Sequence, residues 1–131
     1  MLNTGEILER YKTIAVVGLS PNRMRPSNGV SEYMQSQGYR IIPVNPGHGE
    51  ILGEKAYRTL DDIPEPVEIV NIFRRSEYVP ELVDAAIRIG AKVIWMQEGI
   101  AHEAAAQKAR EAGLEVVEGR CILKDHRRMS R

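Results

Sequence analysis

The chain has 131 residues, 43% of them apolar, which suits a single domain over 1–131 with a real core and leaves no room for a second. Its 18 Lys and Arg balance 18 Asp and Glu, so no global field draws it to nucleic acid or to an anionic membrane, and any anion site has to be local. The start lacks the features of a secretory signal, no apolar run approaches membrane-spanning length, and Cys121 is the lone cysteine; an internal disulfide is excluded and a soluble cytoplasmic protein is the expectation.

Apolar strand-like runs alternate with helical patterns, as in βαβ units with a parallel sheet. Asn3 or Thr4 can cap a first helix whose Ile7, Leu8 and Tyr11 share a face, and Thr13 to Val17 then reads as a strand buried on both faces. A helix capped by Ser27 carries Val30, Tyr33, Met34 and Gln37 on one side and stops at Gly38. Arg40 to Val44 is the second strand. Ile51 to Gly53 suggests a hairpin-like excursion and Thr59 caps one helical turn, before Pro64 and Pro66 forbid regular structure.

Val67 to Phe73 is the third strand. Val79, Leu82, Val83, Ala86 and Ile87 form a helical stripe with Ser76 as cap, Gly90 as stop and Pro80 tolerable in the first turn. Val93 to Met96 is the fourth strand, Ala101, Ala104, Ala105, Ala109 and Ala112 line a small-residue helix face ending at Gly113, and Leu114 to Val117 is the fifth strand. Lys124 to Arg131 reads as a polar tail. The fold class that follows is a Rossmann-like α/β domain: an open parallel sheet of about five strands with helices on both faces. Its expected order is 3-2-1-4-5, with the switch point between strands one and four.

Ligands bind such sheets beyond the C-terminal strand ends, so clusters found there become neighbours. The connection from Gly18 to Ser27 exceeds the usual loop of about 2 to 6 residues, and excess length on that side points to function. Gly18 permits a sharp turn, and the amides of Leu19, Ser20 and Asn22 could converge on a phosphate, with Pro21 donating nothing. Ser20 and Arg23 stand where a dinucleotide fingerprint needs its later glycines. Arg25, held extended by Pro26, precedes the anion-favouring start of the Ser27 helix.

The second strand ends in Asn45, Pro46, Gly47 and His48, where an NAD site would place an acid for the ribose about 20 residues beyond the glycines. A neutral Asn45 does not repel a phosphate on that ribose, and protonated His48 assists one. Phe73 can pack on adenine while Arg74 or Arg75 forks onto phosphate. Gln97, Glu98 and Gly99 precede a helix start and offer polar groups to an amide-bearing arm. Donors, arginines and the missing acid together point to a phosphate-rich nucleotide cofactor, coenzyme A.

Val17 to Ser20, Arg25 to Ser27, Tyr39 to Pro46, Phe73-Arg74, Trp95 to Gly99 and Gly119 to Cys121 resemble the small stand-alone CoA-binding domain proteins, which are similar to the N-terminal CoA-binding domain of the succinyl-CoA synthetase α subunit. The likeness covers nearly the whole chain and implies a Rossmann-like fold that binds CoA or an acyl-CoA. It implies Gly18, Leu19, Ser20 and Pro21 at the diphosphate with Arg25, Pro26 and Ser27 beside them. It further implies Asn45, Pro46 and His48 at the adenosine phosphate, Phe73 and Arg74 flanking the adenosine, and Met96, Gln97, Glu98 and Gly99 at the pantetheine arm. A lysine in the synthetase pattern matches His48, which implies a weaker or pH-dependent contact. The synthetases' phosphorylated histidine and ATP-grasp partner have no counterpart in these residues, so ligase activity by this chain alone is not expected.

No nucleophile, base and orienting acid stand out as a set, and Cys121 with His126 offers too few metal ligands. Cys121 follows the fifth strand, and a mixed disulfide with CoA there is one hypothesis, an inert buried thiol the other. Three functions stay open: a non-catalytic CoA-binding, sensing or accessory module with a protein partner or a second copy; an NAD(P)-type oxidoreductase or redox sensor; and an interaction module with a vestigial crevice.

Overall fold

The computed structural model describes residues 1–129. Five parallel strands, β1 (Thr13–Val17), β2 (Arg40–Val44), β5 (Ile69–Ile72), β6 (Val93–Met96) and β7 (Glu115–Val117), form one sheet in the order β2-β1-β5-β6-β7. A two-stranded ribbon, β3 (Glu50–Ile51) with β4 (Glu54–Lys55), lies outside it. The helices are α1 (Thr4–Arg10), α2 (Pro26–Ser36), α3 (Val79–Arg88), α4 (Glu103–Glu111) and α5 (Ile122–Met129). Strand alternation feeds two cores. Ile14, Val16, Ile69, Val93 and Trp95 pack in the one containing Ile7, Leu8, Met34 and Ile122 of α1, α2 and α5; Ala15, Val17, Val70, Ile72, Ile94 and Met96 pack in the one containing α3 and α4. No helix among the described residues is long and apolar enough to cross a membrane.

The Rossmann-like α/β class holds, and the strand order differs in one respect. The third major strand, β5, pairs with β1, in register from Ile14 opposite Ile69 to Val17 opposite Ile72, and not with β2. In the numbering of the major strands the order is therefore 2-1-3-4-5, and the switch point falls between the first and third. Pro43 explains why. Its carbonyl faces the outer side of β2, where it accepts from the Tyr57 amide at 3.0 Å, so its nitrogen, which has no proton, faces outward too. A strand with that gap suits an edge, and on its outer side it meets an isolated bridge to Tyr57 in place of a full strand.

Local expectations fare unevenly. Asn3 caps α1 in a reciprocal box with Glu6, and α3 carries Pro80 in its first turn and stops before Gly90 at φ 76°. Ser27 and Ser76 do not cap: α2 starts at Pro26, and the Ser76 hydroxyl accepts from the Ala101 amide at 3.1 Å. Thr59 precedes a 3-10 turn, Leu60–Asp62, but its hydroxyl binds the Asp62 carboxylate. On α4 the buried alanines are 105, 106 and 109, while Ala101, Ala104 and Ala112 are exposed. The supposed polar tail is corrected most: α5 runs to Met129, with Asp125 and His126 buried, and only 130–131 lie outside the described residues.

Candidate functional site

The crevice begins where β1 ends. Gly18 has φ 87°, and a Cβ there would lie 3.0 Å from the Phe73 carbonyl oxygen and 3.1 Å from Arg74 Cδ. Only glycine lets the loops after β1 and β5 approach so closely. Beyond it, the Ser20 amide donates to Ser27 Oγ (3.0 Å), Asn28 Nδ2 to the Ser20 carbonyl (2.9 Å), and the Asn22 amide to Ser20 Oγ (3.0 Å). The loop is thereby latched onto the first turn of α2. This corrects the expected amide nest: two of its donors serve the latch, and the Leu19 and Arg23 amides are left without an acceptor among the described residues. Leu19's side chain is fully buried, and Pro21 is exposed. A cleft of about 430 Å³ is lined by Gly18, Ser20, Arg25, Pro26, Ser27 and Phe73. Ser27 Oγ keeps its own proton to donate there.

At the end of β2, Asn45 positions the chain. Its Nδ2 donates to the Leu19 carbonyl at 3.0 Å and its Oδ1 accepts from the Gly47 amide at 2.9 Å, tying the first two strand-end loops together. On the α3 side a second cavity, about 330 Å³, has apolar walls from Val17, Val44, Leu60, Leu82 and Ala85, with Pro46, Arg58, Arg74 and Arg88 at its rim. Arg74 lays its guanidinium 4.2 Å above the Tyr78 ring. Arg88 forks onto Asp61 at 3.2 and 2.8 Å, and that guanidinium holds the Asp61 carboxyl below its ordinary range. His48 is exposed and lines neither cavity.

The end of β6 is bound to the start of α5. Trp95 Nε1 donates to the Arg120 carbonyl (2.8 Å), the Met96 carbonyl accepts from the Arg120 amide (3.2 Å), and Gln97 Oε1 accepts from the Ile122 amide (3.0 Å). Met96 is wholly buried in the α3 and α4 core, so it offers backbone alone. Gln97 is a positioning residue through its oxygen, while its amide nitrogen has no partner among the described residues. A third cavity, about 510 Å³ and mainly apolar, is lined by Val30, Phe73, Gln97, Ile100, Cys121 and Leu123, with Glu98, Lys124 and Arg127 at its edge. Glu98 pairs with Lys124 at 2.9 Å. Gly99, at φ 82°, turns the chain toward α4.

Phe73 and Pro26 line both the cleft and the third cavity, and the Gly18–Arg74 approach joins the cleft to the second. The segments after β1, β2, β5 and β6 thus line neighbouring spaces, while Pro21 and His48 are exposed and line none of the three. Sequence reading missed Arg58, which sits in an irregular stretch without periodicity, and Lys124 and Arg127, whose helix looks too polar to pack.

Known proteins agree with this architecture. The profile of the family described as CoA binding domain matches residues 12–127. An uncharacterized protein, YneT, of Bacillus subtilis is 47% identical over 92% of this chain and 90% of its own length. The ADP-forming acetate–CoA ligase II of Archaeoglobus fulgidus is 30% identical over 88% of this chain, which spans 17% of that enzyme. A solved structure of a hypothetical protein from Pyrococcus horikoshii superposes with a TM-score of 0.93 at 41% identity, covering 99% of this chain and 94% of the other. The profile match across nearly all of the described residues, supported by these likenesses, makes this chain a member of the CoA binding domain family.

Proposed function

We propose that the crevice binds coenzyme A or an acyl-CoA and that the chain acts as a single-domain, non-catalytic CoA module. The adenosine end occupies the cavity rimmed by Pro46, Arg58 and Arg74, the diphosphate crosses the cleft at Gly18 and Ser27, and the pantetheine arm follows the apolar cavity past Phe73 and Gln97. The observation that carries this reading is the adjacency of the three spaces: the small-residue cleft and the apolar trough share Pro26 and Phe73, and the arginine-rimmed cavity adjoins them through Val17 beside Gly18 and Arg74 beside Phe73. Such a sequence suits a ligand with a phosphorylated nucleoside at one end and a thin amide-bearing chain at the other.

The neutral Asn45, whose amide already holds two backbone groups, offers no carboxylate to the ribose hydroxyls of NAD. In the acetate–CoA ligase II the matching segment is a small part of a larger enzyme. This chain supplies the equivalent binding function, on its own or to a partner.

Thermal denaturation in the presence of CoA, acetyl-CoA, NAD and NADP tests the reading. CoA at 100 times its Kd stabilises the fold by about 2.7 kcal/mol, and the pyridine nucleotides do not. No shift with millimolar CoA, or a larger one with NAD, overturns it.

A further inference from the structure

We infer that Arg58, together with Arg74, recognises a terminal phosphate monoester on the nucleoside and so makes this crevice discriminate CoA from its 3′-dephospho form. The inference rests on the CoA reading above and assigns a task within it to a residue outside every recognisable motif.

Charge accounting around the second cavity isolates these two side chains. Of the charged groups lining it, Arg88 is forked onto Asp61, and Asp84 is held by Lys108 at 2.6 Å from outside the cavity. Arg58 has no ion pair among the described residues. Arg74 sets its guanidinium carbon 4.2 Å from the Tyr78 ring centroid and makes no ion pair among the described residues, so its N–H groups stay available to an anion. The lining carries three arginines and three acids; with Asp61 held by Arg88 and Asp84 by Lys108, exposed Glu81 is the one lining acid without an ion pair among the described residues, against the two arginines, which leaves one positive charge uncompensated. Its walls, Val17, Val44, Leu82 and Ala85, are apolar and lower the local dielectric, which strengthens any phosphate contact made there.

The backbone beneath Arg58 is fixed. Tyr57 donates to the Pro43 carbonyl at 3.0 Å and accepts from the Asn45 amide at 2.9 Å, so the residue after it is carried on the edge of β2. Arg74 is placed as firmly, its stem against Gly18. Two guanidiniums delivered by different loops to one cavity form a fork suited to a dianionic monoester. His48, by contrast, lines none of the three spaces.

The test is calorimetric titration of the full chain with CoA and with 3′-dephospho-CoA, for the wild type and for Arg58→Ala, Arg74→Ala and His48→Ala. The wild type prefers CoA by about tenfold or more, as expected for charge-assisted hydrogen bonds to a phosphate. Arg58→Ala and Arg74→Ala weaken CoA binding, leave dephospho-CoA binding within about twofold, and so collapse the ratio; Arg58→Lys retains part of it. Because the readout is a ratio of affinities, partial misfolding of a variant cancels. Equal wild-type affinities, a ratio that survives Arg58→Ala, or a collapse in His48→Ala alone overturns this inference while the CoA reading stands. Absence of CoA binding overturns both.

Discussion

The two sides of the crevice are built on different physics. On the α2 side the cleft is made of backbone and small side chains already bonded to one another: Ser20 to Ser27, Asn28 to Ser20, Asn45 to Leu19. On the α3 side the cavity is rimmed by long arginines, two of them without a carboxylate partner among the described residues. A pre-bonded loop defines shape and loses little entropy when a ligand arrives, whereas free guanidiniums supply charge and must be ordered by what they bind. Changes on the α2 side should therefore damage folding and binding together, and changes on the α3 side should affect binding alone.

The largest break is expected at Gly18. Gly18→Val places a branched side chain at φ 87° against the Phe73 carbonyl and should cost about 2–4 kcal/mol in urea denaturation and abolish CoA-induced stabilisation. Ser27→Ala leaves the Ser20 amide without its partner, and a loss of about 1–3 kcal/mol in the same assay should accompany weakened CoA binding. Arg74→Ala gives the opposite pattern: unliganded stability falls by at most about 1 kcal/mol through the lost Tyr78 contact, while CoA affinity drops and its salt dependence lessens.

His126 tests the region behind the cleft. It is buried, within 2.8 Å of the Tyr33 hydroxyl and edge-on to Tyr33 and Tyr39; burial first, and then Lys12, lower its pKa from the ordinary 6.5. The unfolded chain thus binds a proton at higher pH than the folded one, so stability is full above the ordinary histidine range and declines as pH falls through it. His126→Asn should flatten that part of the pH–stability curve. Smallest is Lys124→Ala, which removes an exposed pair with Glu98 and should change stability by no more than about 0.5 kcal/mol.

Much of this was legible in the chain. Continuous apolar runs announce strands covered on both faces, and the Asn3–Glu6 box and the helix-ending glycines mark boundaries because capping is local chemistry. The Gly18 loop, Phe73-Arg74 and Gln97-Glu98 were identifiable as strand-end clusters, and the structure does bring them together. The strand order was also partly written there, since Pro43 argues for an edge position, whereas the crossover rule constrains the handedness of each connection and not which strand lies at the edge. α5 was missed because its pattern is mostly charged. Its burial depends on His126 meeting two tyrosines and on Asp125 taking Arg120 and Arg128 at 2.7 and 3.0 Å.

By itself, then, the sequence determined the alternation of elements, the class of fold and the segments that meet at the strand ends, because periodicity, capping and backbone freedom act within a few residues. Tertiary structure alone decided which polar groups of those segments stay free. The Asn45 amide nitrogen found the Leu19 carbonyl, 26 residues away, whereas Arg58 has no ion pair among the described residues, and such pairing depends on neighbours that are distant along the chain.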